Sequence, residues 1–375
     1  MKKRMLSLFL AGIMAAGTMA CGSSSDSAVP EAPQETVVED SAEEVTGEET
    51  TPAEDTTAAD ESEYKYSFDV NNVGEHNFTF ASTSAAESVG EQVTDFFAQR
   101  VEELSGGKMT VTHFGGSALG TESQYLEALT AGTLDMGMIA VEFYCNSIPQ
   151  LGAMLLPYMY EDYDQVTNVL MSEAGDYANE QILEVADCVN LSYFIQAFRQ
   201  IYSTREIKSA DDLKGVKIRV PESSLYVDTF EMMGAAPTPL PLSEVYTAMD
   251  TGVVNAVENI PDTAVHNSWA EVAPYMIETN HMNGPSTFSM SNKVYSTLNE
   301  DEQNILLQAG YETVYFAVAL SEEKDAEARA VLEEDMTIIQ PDIQSMRDAM
   351  DYTKYDFMQS EEAQKLFELV QANLQ

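Results

Sequence analysis

One pattern occurs twice in this chain and constrains its fold more than any other feature. LEALTAGTLDMGMI (126–139) and YTAMDTGVVNAVEN (246–259) each read as a short amphipathic helix, a glycine stop and a strand. Gly132 matches Gly252, Leu134 matches Val254 and Asp135 matches Asn255, all at one constant offset. A helix closed by glycine that runs straight into an apolar strand is the second half of a βαβ unit. Two such units far apart imply two similar α/β lobes, against the alternative that two ordinary helix-to-strand junctions align by coincidence.

The flanking sequence supports the lobes. Residues 77–81 (NFTFA) form an opening strand, and 87–104 form a helix with Val89, Val93, Phe96, Phe97, Val101 and Leu104 on one stripe. Ser105-Gly106-Gly107 stops that helix, 108–112 is the next strand, and a helix runs from Thr121 to Gly132. Strand and helix in alternation indicate a parallel sheet. In the second half, Ser223 stands where it can cap a helix that places Tyr226, Phe230 and Met233 on one face, and Ser243 stands before another. The composition of 300–333, with no Gly or Pro after Gly310, favours one long helix. At 1.5 Å per residue it measures about 50 Å, enough to brace both lobes.

Between these elements lies GVKIRVPES (215–223). Val216, Ile218 and Val220 alternate with Lys217 and Arg219, the period of a half-buried strand, and Pro221 ends it. The chain has 18 lysines and arginines against 63 acidic residues, so an arginine at the last polar position of a core strand needs a reason. Either it pairs with a nearby acid such as Glu222 or Glu258, or it holds an anion at the strand's end.

The N-terminal segment stands apart from the fold. Met1-Lys2-Lys3-Arg4 and the apolar run to Ala20 form a leader too short to span a membrane comfortably, and Ala20-Cys21-Gly22 resembles a bacterial lipoprotein cleavage site. That resemblance implies lipidation at Cys21; ordinary secretion with cleavage nearby is the alternative. Residues 22–65 are rich in Ser, Thr, Ala, Pro, Asp and Glu and should form a disordered acidic tether. A net charge of −45 makes the chain a poor partner for nucleic acid. Beyond Cys21 only Cys145 and Cys188 occur, too few for a disulfide scaffold. His76, His113, His266 and His281 show no metal-ligand spacing, and no nucleophile elbow or phosphate loop is present, so neither catalysis, a cofactor nor a metal is expected.

DLKGVKIRVPES, PLPLSEVYTAMDTGVVNAVEN and GGSALGTESQYLEALTAGTLDMGM together resemble the solute-binding subunits of TRAP (tripartite ATP-independent periplasmic) transporters, from Phe78 to the C-terminus. The resemblance implies a two-lobed periplasmic-binding-protein-like fold, each lobe a mainly parallel sheet with flanking helices, joined by crossing strands and the long helix. The expected lobes are 76–195 plus 283–323 and 196–282 plus 324–375. It implies that Arg219 forms a salt bridge to a ligand carboxylate, with Arg199 a second contact and Asn259 a third. Ion pairing of Arg199 with Glu206, and turn capping by Asn259 before Pro261, are the structural alternatives.

Glu87 is a candidate acceptor for a ligand hydroxyl, although an acid near a helix start is favourable without any ligand. Residues 140–143 should face the cleft. Tyr246, Phe143 and Trp269 are candidates to cover an apolar ligand face, with core packing as the alternative. The expected function is capture of a small organic acid outside the cytoplasm by a lipid-anchored monomer that serves integral membrane TRAP subunits. A uronate or aldonate suits this set of side chains best. A C4-dicarboxylate, a keto acid, or a ligand-sensing lipoprotein with no transport role are the alternatives.

Overall fold

The structure is a computed structural model that describes residues 64–375. The leader, the lipidation expected at Cys21 and nearly all of the expected tether lie outside the described residues. The strands in chain order are β1 (His76–Ala81), β2 (Met109–Phe114), β3 (Met136–Ala140), β4 (Cys188–Phe194), β5 (Gln200–Ser203), β6 (Lys217–Val220), β7 (Ala236–Pro239), β8 (Ala256–Asn259), β9 (Tyr275–Ile277), β10 (Ser286–Ser291) and β11 (Thr337–Ile339).

They form two sheets with one plan. The first runs β2-β1-β3-β10-β4, and the second, read from its β7 edge, runs β7-β6-β8-β5-β9-β11. In each, an opening strand pairs in parallel with the next two strands of its half, and one reversed strand then separates the third from the fourth. The doubled sequence unit therefore reflects a doubled topology. Gly132 and Gly252 adopt φ of 76° and 71°, the left-handed conformation that closes each helix before β3 and β8. The sheets are mainly parallel, as expected, and each owes its mixed character to one strand. Those strands, β10 and β5, are the ones the chain lays down on crossing from one sheet to the other. Prolines 237 and 239 fit into β7 because it is an edge strand and need not donate on its outer side.

Local chemistry places the helices. The helix Val89–Leu104 buries the expected stripe, and Phe96 stacks on Phe316 with ring centroids 4.1 Å apart. Thr121 and Asn299 each open a helix with a reciprocal capping box. Ser223 holds the cap position of the helix Ser224–Met232 without a side-chain capping bond. Ser243 falls inside a 3-10 turn, Leu242–Glu244, rather than at a helix cap.

The long helix spans Glu300–Asp335, 36 residues. Ile305, Leu306, Ala309 and Ala317 sit in the core of the first sheet, and Leu332 sits in the core of the second with Trp269 and Met276. Gly310 permits its contact with β4: a Cβ there would lie 1.8 Å from the carbonyl of Leu191. The last helix, Glu361–Ala372, packs on the turn Pro149–Met154 and the helix Glu173–Ala186, on the side of the first sheet.

The segments that cross between sheets hydrogen-bond to one another. Arg199 donates its N–H to the Met282 carbonyl at 2.9 Å, and His281 donates to the Arg199 carbonyl at 3.3 Å. Parallel strands in both sheets end facing this junction, where an α/β protein leaves its crevice.

Candidate functional site

A pocket occupies that crevice. Its wall draws on the turn after β1 (Thr83, Ser84), the end of β3 and the helix after it (Ala140, Glu142, Phe143), and the ends of β6 (Arg219, Pro221) and β8 (Asn259). It encloses about 950 Å³ between the surrounding atoms, mouth included. Asp262 ties the two sides together by accepting the N–H of Val89, in the first turn of the helix Val89–Leu104, at 3.2 Å.

Arg219 is the most exceptional residue in the wall. It is 3 % exposed, and its Nε and Nη2 both donate to the Leu240 carbonyl, at 2.8 and 2.6 Å. Among the described residues no carboxylate comes within 4.0 Å of it. Burial pulls its guanidinium down to about 10, and the nearest help, from Glu258, does not offset this. A buried cation without a counterion is unfavourable unless something else supplies the anion.

Arg199 lies at the same pocket in the opposite condition. Its Nε and Nη2 grip both carboxylate oxygens of Glu258, at 2.5 and 2.9 Å, and its guanidinium lies 5.0 Å from the centre of the Tyr226 ring. His281 Nε2 stands 3.4 Å from the same carboxylate. Burial alone would raise the Glu258 carboxyl, but Arg199 and His281 hold it below the usual range. The ion pairs that sequence allowed for these arginines are not formed. Glu206 pairs with Lys208, and Glu222 accepts a hydroxyl from Ser123 at 3.4 Å.

Asn259 stands at the pocket wall with one end of its amide engaged. Its Oδ1 accepts the N–H of the next residue, Ile260, at 2.8 Å, but the helix Pro261–His266 has Ile260 at its cap position without a side-chain capping bond, and Asn259 Nδ2 has no partner among the described residues. Arg219, Arg199 and Asn259 are thus brought together.

Glu87 and Tyr246 are not part of this group, and the structure corrects their expected placement. Glu87 sits exposed in a left-handed turn, φ 65°, with its N–H bound to Glu91, and lies outside the lining. Tyr246 is 37 % exposed on the outer face of the helix Val245–Asp250 and donates its hydroxyl to Glu271 at 2.6 Å. Phe143 does line the pocket, whereas Trp269 packs edge-on against Tyr202 in the core.

Two acids stand in the wall: Glu142, within the 140–143 stretch expected to face the cleft, and Glu122, for which no such expectation arose. Glu122, in the first turn of its helix, accepts the N–H of Ala140, and burial pushes its carboxyl up to about 8. Glu142 is 2 % exposed, and burial raises its carboxyl too. The available signal was an acid directly after the apolar run MGMIAV, where a core strand has no use for one.

Comparison with known proteins agrees with this geometry. A family model described as bacterial extracellular solute-binding protein, family 7, matches residues 80–361. A solute-binding protein of Roseobacter denitrificans is 31 % identical over 247 residues, 66 % of this chain and 76 % of that protein. Its crystal structure, with bound L-galactonate, matches with a TM-score of 0.74 over 81 % of this chain and 100 % of that one, at 26 % identity. A TRAP periplasmic solute-binding protein from a Bradyrhizobium species, in complex with α/β-D-galacturonate, matches with a TM-score of 0.76 over 79 % of this chain and 99 % of that one, at 32 % identity. The sialic acid-binding periplasmic protein SiaP of Vibrio cholerae is 26 % identical over 272 residues, 72 % of this chain and 85 % of that protein.

Proposed function

The chain belongs to family 7 of the bacterial extracellular solute-binding proteins, and from that premise we propose that it captures a polyhydroxylated sugar acid, an aldonate or a uronate. The observation that carries the reading is Arg219, a buried guanidinium with no counterion at the meeting point of two strand ends. A guanidinium offers parallel donors that match the two oxygens of a carboxylate and keeps its charge when water is excluded. Asn259 Nδ2 supplies a further donor beside it. The hydroxyls of Thr83 and Ser84 and the carboxyls of Glu122 and Glu142, across the pocket, suit the hydroxyls along a sugar-acid chain. The galactonate and galacturonate bound by two of the structural relatives support the same ligand class.

The protein acts by holding and releasing its ligand rather than by altering it. The two sheets close over the acid about the crossing segments, and integral membrane TRAP subunits receive it. Cys21 carries the lipid, and the acidic segment leaves the folded part free to reach its partners as a monomer. The test is a thermal-shift screen followed by calorimetry with D-galacturonate, galactonate, glucuronate, succinate and pyruvate. Sugar acids are expected to raise the melting temperature by mass action and to bind near or below micromolar, about 8 kcal/mol. Strong stabilisation by succinate or pyruvate alone would overturn the sugar-acid reading in favour of a dicarboxylate or keto acid.

A further inference from the structure

The charges around the pocket do not balance once an anion enters it. Resting on the acid-binding reading above, we propose that Glu142 serves the filled pocket as a neutral carboxylic acid that hydrogen-bonds the ligand. We propose further that the acid is captured together with a proton taken up by Glu142 and Glu122.

Glu142 is built into the wall without a partner. Its Oε1 comes no closer to a cation than 3.9 Å, at Arg199 Nη1, and its Oε2 has no hydrogen-bond partner among the described residues. Arg199 is already engaged by both oxygens of Glu258, so Glu142 faces a guanidinium whose charge is spoken for. The Tyr226 hydroxyl is buried and unpartnered as well. These groups converge on one small space beside Gly284. A Cβ on that glycine would lie 3.0 Å from Tyr226 Oη, 3.5 Å from Glu142 Oε2 and 3.6 Å from Arg199 Nη1. Buried polar atoms are nearly always satisfied, so Glu142, which lines the pocket and leaves Oε2 without a partner among the described residues, has a hydrogen bond to offer a polar guest such as a ligand hydroxyl.

The charge count decides the protonation state. Arg199 and Arg219 face Glu258, Glu142 and Glu122. With all three carboxyls ionised, the cluster carries one negative charge before the ligand arrives and two afterwards. With Glu142 and Glu122 protonated, it carries one positive charge and the anion neutralises it. At short range the second arrangement is the favoured one.

The other neighbours do not reverse the direction of the count. Tyr226 and Cys145 beside Glu142, and Tyr125 beside Glu122, are pushed up by burial and stay neutral. Burial lowers His281, which stays neutral also. Farther along the wall Asp262 approaches His266 at 3.2 Å and Glu222 accepts a hydroxyl from Ser123; negative charge on either adds to that of the cluster and favours the protonated forms of Glu142 and Glu122 further. Burial already pushes Glu122 up to about 8 and raises Glu142, and an added anion raises both further.

The sign follows from linkage. A carboxyl whose protonated form is favoured with ligand bound makes affinity highest at low pH and lowers it as pH rises through the titration range. Calorimetry with D-galacturonate or galactonate, from pH 6 to 9.5 in two buffers of different ionisation enthalpy, reads the proton directly. Above pH 8 the protein is expected to take up close to one proton per ligand, and affinity to fall by up to about tenfold per pH unit. Glu142→Gln keeps a donor and removes one titration, so uptake should shrink. The double variant E122Q/E142Q should lose the uptake and the pH slope.

No uptake by the wild-type protein and a flat affinity across the range would overturn the proposal. So would undiminished uptake by the double variant. Should the double variant fail to fold, the wild-type titration decides alone. A protein that binds none of these acids overturns the functional reading and this inference with it, whereas tight binding without proton exchange overturns only the inference.

Discussion

Arg219 and Arg199 sit at one pocket, are equally buried and come from adjacent parts of the second sheet, yet only one of them is neutralised. Strand parity separates them. Arg219 on β6 lies opposite Val257 on β8, so it shares a face with Val257 and Asn259, while Glu258 between them points to the other face. Arg199 precedes β5, whose Ile201 lies opposite Glu258, so Arg199 and Glu258 are diagonal neighbours on that second face. One residue of offset along β8 thus assigns the acid to the crossing segment and the amide to Arg219. The difference separates the two arginines on the reading proposed above: the paired one is held within the junction, and the unpaired one is the candidate to hold an anion.

The comparison breaks most visibly at Arg199. Arg199→Ala leaves Glu258 buried without its cation and should cost about 3–5 kcal/mol of unliganded stability, read from chemical denaturation. Removing the whole pair, Arg199→Met with Glu258→Leu, should recover most of that loss, since a buried pair contributes little over an apolar replacement. A double variant as unstable as the single one would mean that the pair is not the unit of stability here.

Asn259→Ala sharpens the other side of the comparison. It removes one donor to a charged ligand and should weaken sugar-acid binding by about 1.5–3 kcal/mol in calorimetry. The loss of its hydrogen bond to the Ile260 N–H should cost the fold about 1 kcal/mol. The smallest effects belong to the residues that lie outside the pocket. Glu87→Gln and Tyr246→Phe should each change affinity by no more than about 0.5 kcal/mol. A tenfold loss in either would mean that the filled pocket draws in a residue the present geometry leaves outside.

Much of this was legible in the chain. The doubled helix–glycine–strand unit foretold two sheets of one plan, and the Ala/Leu/Glu-rich run foretold the long helix. The KIRVP strand singled out Arg219 and the family resemblance added Asn259, and the structure sets both in the pocket wall. What stayed hidden depends on register or on contacts between the sheets. Arg219 and Glu258 are adjacent in space by strand order and separated only by parity, which one sequence does not display. Tyr246 follows Val245 on a helix that turns Val245, Ala248 and Met249 inward, so the helical period itself sends the tyrosine to solvent. Glu87 reads well as an acid near a helix start, but its left-handed turn aims it outward. Glu122 and Glu142 acquire meaning only when the second sheet brings two guanidinia across from them.

The central claim is that Arg219 is held unpaired for a ligand carboxylate, and its most direct test measures one variant in two ways. Calorimetry with a sugar acid and an unliganded melt are run on Arg219→Ala, with Arg219→Lys beside it. The account predicts an affinity loss of about 2–5 kcal/mol for Ala, and a substantial loss for Lys, which keeps the charge but not the fork. The unliganded melting temperature should stay level or rise, because a buried cation without a counterion has been removed. A melt that collapses while affinity holds would contradict the account and make Arg219 a residue of the core.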